Sequence, residues 1–139
     1  MKQNLNLEDW LRKKITFTQF WYLDKSQTVE FEFKKIHGPR SSYAFVRFDC
    51  NPSTHLSFNS NNVFDSKLSP DWIKLFEASI CEAIVDSLIC NSLTPYFGCE
   101  LNLIQIKYDE VGSSEDSFYK ATKEAMKELI ITSDWKHYV

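Results

Sequence analysis

The chain has 139 residues, 43% of them apolar and 15% aromatic, with only three Gly and four Pro. Its net charge of −3 is that of an ordinary soluble domain and not the basic footprint of a nucleic-acid binder. The length suits one domain able to bury about two thirds of its unfolded surface without disulfide or metal staples.

Residues 6–14 read as a short helix, with Asn6 at its cap and Glu8 and Asp9 at the positive end of the dipole. Residues 15–23 alternate as a strand, with Ile15, Phe17, Gln19, Trp21 and Leu23 on one side and Thr16, Thr18, Phe20 and Tyr22 on the other. Asp24-Lys25-Ser26-Gln27 is a turn-like break. Val29, Phe31 and Phe33 then alternate with Glu30, Glu32 and Lys34, the pattern of a strand with one wet face. His37-Gly38-Pro39-Arg40 is the clearest turn. In the strand that follows, Ala44, Val46, Phe48 and Cys50 form one face, and Tyr43, Phe45 and Arg47 the other. Asn51-Pro52-Ser53 turns the chain again, and residues 55–63 form a weaker, more polar strand suited to an edge.

Ser69-Pro70-Asp71 starts a helix, with Ser69 at the cap and Pro70 in the first turn. It is expected to run to about Asn91, burying Trp72, Phe76, Ile80, Ile84 and Leu88, a stripe that Ile73 and Ala83 widen. Residues 98–108 read as a strand. A second helix opens at Ser113 or Ser114, with Glu115 and Asp116 in its first turn. Phe118, Ala121, Ala125, Met126 and Leu129 make its buried stripe, and Lys120 stands one turn from Glu124 for an ion pair. Thr132-Ser133-Asp134 ends it, leaving a tail whose Trp135 and Tyr138 either fold back or meet a partner.

The order α-β-β-β-β-α-β-α predicts an α+β two-layer sandwich. It has a mixed sheet of four or five strands with two long helices on one face. Neither a repeat nor a linker interrupts it. Residues 1–139 form one domain, with a helix–strand extension (1–27), a core (28–131) and a tail (132–139).

No run of about twenty apolar residues occurs, so no membrane-spanning helix is expected. Residues 1–10 lack the apolar stretch of a secretory leader, which predicts a cytoplasmic protein. The cysteines, at positions 50, 81, 90 and 99, show no C-x-x-C spacing, so free thiols are expected and neither a metal nor a redox pair. There is no G-x-x-x-x-G-K-[ST], G-x-S-x-G or H-E-x-x-H. A GTPase, a serine hydrolase and a zinc protease thus lack their signatures, and no enzyme or cofactor is expected. His37 lies in a turn, His55 at a strand start and His137 in the tail. Glu82 and Asp86 are one helical turn apart, as a carboxylate pair would be, but a solvated helix face accounts for them. The basic clusters Arg12, Lys13, Lys14 and Lys34, Lys35, Arg40 read as solvated turns and helix ends.

Several segments carry a family likeness in chain order. They are Ser41-Ser42-Tyr43-Ala44-Phe45-Val46-Arg47-Phe48 before the turn at Pro52, and the stretch 58–69 that leads into the first long helix. Ile80, Glu82 and Ala83 follow within that helix, then Gly98 opening a strand, then Val111, Ser113, Ser114, Glu115 and Phe118, with Ala121 and Ala125 beyond. Together, over residues 28–130, they resemble domain IV of translation elongation factor G. The resemblance implies the ribosomal-protein-like superfamily, with its left-handed β-α-β crossover. Two departures matter. Residues 108–110 replace a longer loop whose histidine-bearing tip enters the decoding site in the translation factors, and Gly112 stands where the family has aspartate. Translocase activity is therefore not expected, and Ser113-Ser114-Glu115 reads as a helix cap.

With both helices on one side, the other side of the sheet faces water. Tyr43, Phe45, Arg47, Leu101 and Leu103 are expected to share it, with Phe20 and Tyr22 at its margin. An exposed apolar patch of this kind marks an interface unless residues 5–11 or the tail cover it. The leading expectation is a non-catalytic interaction protein that uses this face to bind a protein partner or a second copy of itself. The alternative is a ribosome- or RNA-associated factor, in which Tyr43 and Phe45 stack on bases and Arg47 meets phosphate.

Overall fold

A computed structural model describes residues 19–37, 40–60, 63–64, 67–90, 94–109 and 111–138. The helix expected at 6–14, the first part of the strand expected at 15–23 and the cluster Arg12, Lys13, Lys14 lie outside them. The elements are β1 (Phe20–Leu23), β2 (Gln27–His37), β3 (Arg40–Pro52), β4 (Ser57–Asn59), α1 (Pro70–Val85), a π-helical turn (Asp86–Cys90), β5 (Tyr96–Lys107), α2 (Glu115–Thr132) and β6 (Trp135–Tyr138). They build the expected α+β sandwich around a six-stranded sheet of order β2-β3-β5-β1-β6, with β4 also paired to β5. α2 lies across β2 and β3, and α1 packs along α2.

β2 and β3 pair antiparallel from Gln27↔Cys50 to His37↔Arg40. Their alternation sends Val29, Phe31 and Phe33 to the same side as Phe48, Val46 and Ala44, under the helices. β3 and β5 also pair antiparallel, but the register shifts: Arg47 faces Gln105, and Phe48 faces Leu103. Ile104 is the extra residue of a β-bulge, and it turns β5 over. Gln105 and Lys107 share the open face with Arg47 and Phe45, whereas Leu101 and Leu103 lie with Cys50 and Phe48 on the helix side, fully buried. The expectation that Leu101 and Leu103 join Tyr43 and Phe45 is thus corrected, because a strand with a bulge does not keep one face along its length.

Ser69 caps α1 by accepting from the Trp72 N–H, with Pro70 opening the helix. Phe76, Ile80, Ala83, Ile84 and Leu88 are buried as the stripe requires. Trp72 is not: it is exposed, with its ring centre 5.5 Å from that of Phe76. The helix is α to Val85 and then π to Cys90, rather than continuous to Asn91. Asp86, at that junction, accepts a hydrogen bond from Tyr119 Oη at 2.5 Å and ties the turn to α2.

α2 begins with a reciprocal cap in which Ser114 and Ser117 each bind the other's backbone N–H. Its Phe118 ring meets Phe76 of α1 at 4.5 Å between centroids. Lys120 pairs with Asp116 at 2.8 Å and not with Glu124. The acid therefore sits one turn before the lysine, the more favourable order in a helix. The expected tail is an element of the sheet. β6 runs antiparallel to β1, with Leu23↔Trp135 and Phe20↔Tyr138, and Trp135 Nε1 donates to the Leu129 carbonyl at 3.3 Å.

Gly98 lies where β1 and β5 approach. A Cβ there would fall 2.3 Å from Tyr22 Cβ and 2.9 Å from the Ser53 carbonyl oxygen. Only a residue without a side chain lets β1 lie down beside β5.

Candidate interaction surface

The open face is polar and laced together. From β3, Tyr43 Oη donates to Glu32 Oε2 at 2.8 Å. Arg47 grips Glu30 Oε1 through Nε and Nη2, both at 2.7 Å, and gives Nη1 to Gln105 Oε1 at 2.8 Å. Thr28 Oγ1 donates to Asp49 at 2.9 Å. Phe45 is only 5% exposed, although it lies on the side away from the helices. Arg47 Cζ and Lys107 Nζ stand 5.6 and 4.8 Å from its ring centre and roof it over. Tyr43, Phe45 and Arg47 therefore come together as expected, while Leu101 and Leu103 lie on the other side of the sheet. The result is a charged ladder rather than a contiguous apolar patch. Burial, with the Glu32 carboxylate beside it, pushes the Tyr43 phenol upward.

The remaining chemistry-bearing residues do not converge. Among the described residues no group of three or more His, Cys, Asp and Glu is placed to hold a metal ion. Cys50 and Cys99 are buried, Cys81 half-buried and Cys90 exposed, all as free thiols. Burial first, then nearby Asp49, raises the Cys50 thiol to about 12. Burial first, then Glu77, raises Cys81 to about 11. Such thiols are poor nucleophiles. His137 lies against the Trp21 ring at 4.9 Å, His55 is half-buried, and the side chain of His37 lies outside the described residues. Asp86 is held by Tyr119, whose phenol that hydrogen bond, with burial, pushes up to about 12.

Two exposed apolar side chains that sequence reasoning missed stand at the start of α1. Trp72 is 47% exposed, and Leu75, one turn on, is also exposed. Trp72 borders a groove of about 350 Å³ whose other walls include Leu68, Phe76, Tyr108, Asp109 and Ser113. The β5–α2 loop makes one wall and is held firmly. Asp109 N–H donates to Ser113 Oγ at 2.8 Å, Ser113 Oγ donates to the Tyr43 carbonyl at 2.7 Å, and Tyr43 N–H donates to the Gly112 carbonyl at 2.9 Å. A Cβ on Gly112 would lie 3.1 Å from Ser41 Oγ, so the loop fits closely against β3. It presents Val111, 88% exposed. The available signal was Leu75, an apolar residue off the α1 stripe but i+3 from Trp72.

No known protein family matches the sequence, and no curated protein does. The solved structure of a protein from Thermus thermophilus is similar in fold, with a TM-score of 0.66 and 20% identity. The likeness covers 88% of this chain and 18% of that one, so the chain spans less than a fifth of the length of the protein it matches. The class that fold and surface define is a two-layer α+β domain with a polar, cross-linked open face and a groove of mixed polar and apolar lining at the start of α1. Among the described residues no helix is long and apolar enough to cross a membrane.

Proposed function

We propose that this chain is a non-catalytic protein-interaction module that meets its partner at the Trp72 groove rather than on the open sheet face. The observation that carries this reading is exposed Trp72 lining a groove whose loop wall is already hydrogen-bonded in place, with exposed Leu75 three residues further along the helix. An aromatic anchor at a pre-ordered depression is what a binding hot spot requires, because little conformational freedom remains to be lost. The polar ladder supports the same choice: Phe45 is covered and Tyr43 and Arg47 are already engaged. To test it, the tagged full chain is isolated from its native cell beside a Trp72→Asp, Leu75→Asp variant of unchanged circular dichroism. One stoichiometric protein partner held by the first and lost by the second is expected. Equal recovery with both, or none with either, rejects the groove.

A second reading rests on the resemblance to domain IV of elongation factor G: a ribosome- or RNA-associated factor. The co-linear order from β2 to α2 and the cap at Ser114 favour it. The open face does not suit bases and phosphates, because Glu30, Glu32 and Asp49 crowd it and Arg47 is bound by an acid. Co-sedimentation with ribosomes that weakens steadily as salt rises would support this reading, and its absence at low salt would remove it.

A further inference from the structure

β2 is the outermost strand of the sheet, paired with β3 along one edge and with no described strand along the other. An eleven-residue strand whose outer edge meets no described strand is a template for another strand. Its open-face charges are not all matched among the described residues. Glu30 is neutralised by Arg47 at 2.7 Å. Glu32 is held by a neutral phenol, Tyr43 Oη. Lys34 is exposed and pairs with no acid among the described residues. Glu32 and Lys34 thus form an unmatched acid and an unmatched base two positions apart on one face of an edge strand.

We propose that β2 pairs antiparallel with β2 of a second copy of this chain, about a two-fold axis at Phe33. In that register Glu32 stands opposite the partner's Lys34, and by symmetry Lys34 opposite the partner's Glu32. The charges select the axis. A two-fold at Glu32 sets that carboxylate against its own copy, and a two-fold at Lys34 does the same with ammonium groups, an arrangement that destabilises paired strands. The backbone allows the chosen register, because residues symmetric about Phe33 have the same parity, so outward-pointing amides meet outward-pointing carbonyls. On the helix side, Phe33 meets the partner's Phe33 and Phe31 meets the lysine stem of the partner's Lys35. Phe31 and Phe33 are only half-buried at this edge and pack against the core from it. Lys120, 5.7 Å from the Phe33 ring centre, roofs the seam. The two sheets become one. This contact shares no residue with the Trp72 groove, and neither reading depends on the other.

The test is the mass of the full chain by sedimentation equilibrium across a range of concentrations. Wild type is expected to dimerise. Lys34→Glu faces both pairs with like charge and is expected to weaken the dimer about tenfold. Glu32→Lys is expected to do the same. The double swap, E32K with K34E, recreates the complementarity in reverse and is expected to restore the dimer. The melting temperature of each variant is recorded, because Glu32→Lys also removes the Tyr43 hydrogen bond. If that variant does not fold, Lys34→Glu alone carries the test, since Lys34 holds no internal acid among the described residues. A monomer at every concentration overturns the proposal. So does a dimer indifferent to Lys34→Glu, or one lost instead through Trp72→Asp.

Discussion

On the helix side of β3, Ala44, Val46, Phe48 and Cys50 have no exposed surface. On the other side, Tyr43, Arg47 and Asp49 each reach a hydrogen-bond partner on a neighbouring strand, and Phe45 is closed between two cations. Phe45 and Phe48 are thus the same side chain, both buried, three residues apart, in two different environments. One is surrounded by packed apolar atoms that leave a void if it is removed. The other is covered by long polar side chains that can move and admit water. Burial alone does not define a core; what matters is whether the neighbours can collapse or rehydrate.

The largest expected effect separates the two faces directly. Phe48→Ala should destabilise the fold by about 4 kcal/mol, since transfer and cavity costs add. Phe45→Ala should cost about 2 kcal/mol, close to the transfer cost alone, because Arg47 and Lys107 relax into water. Equal losses in urea unfolding would erase the distinction. Arg47→Ala should cost about 1 kcal/mol, as a partly exposed pair with one extra hydrogen bond. Its cost should shrink in high salt, where that of Phe48→Ala does not.

A smaller effect lies in the thiols. The folded state raises Cys50 to about 12 and Cys81 to about 11. The folded form therefore keeps these protons when the unfolded chain has released them. The stability they support is whole below the ordinary thiol range and is lost as pH rises through the folded values. Urea midpoints should fall steadily above about pH 9. At pH 8 a thiol reagent should label exposed Cys90 quickly, and Cys50 and Cys99 only as fast as the chain opens. Fast labelling of Cys50 would show that the helix side is not closed.

The two helices and the β2–β3 pair were readable because their signals are local. Ser69-Pro70, the four-residue stripe from Phe76 to Leu88, and the strict alternation of β3 each lie within a few residues. The β5 face was misread because a bulge is a pairing event: Leu101, Leu103 and Ile106 break the two-residue period by one step, which is visible only when Ile104 is allowed to be extra. The polar ladder joins Glu30, Arg47 and Gln105 from three strands, and nothing in any one segment announces it. Trp72 matches the stripe in spacing yet is exposed, because period says which side of a helix is apolar and not how far the packing against it extends.

The pairing of β6 with β1 sets a schedule for synthesis. β1 is made early, but its neighbours in the sheet are β5 and β6, which come from the later part of the chain. A nascent chain stalled before residue 135 has left the exit tunnel can pair β2 with β3, while one edge of β1 still waits for Trp135–Tyr138. The domain is therefore finished after translation of this stretch rather than during it. The short β1 segment, with Trp21 and Leu23, is the part of the sheet left longest for a chaperone to hold.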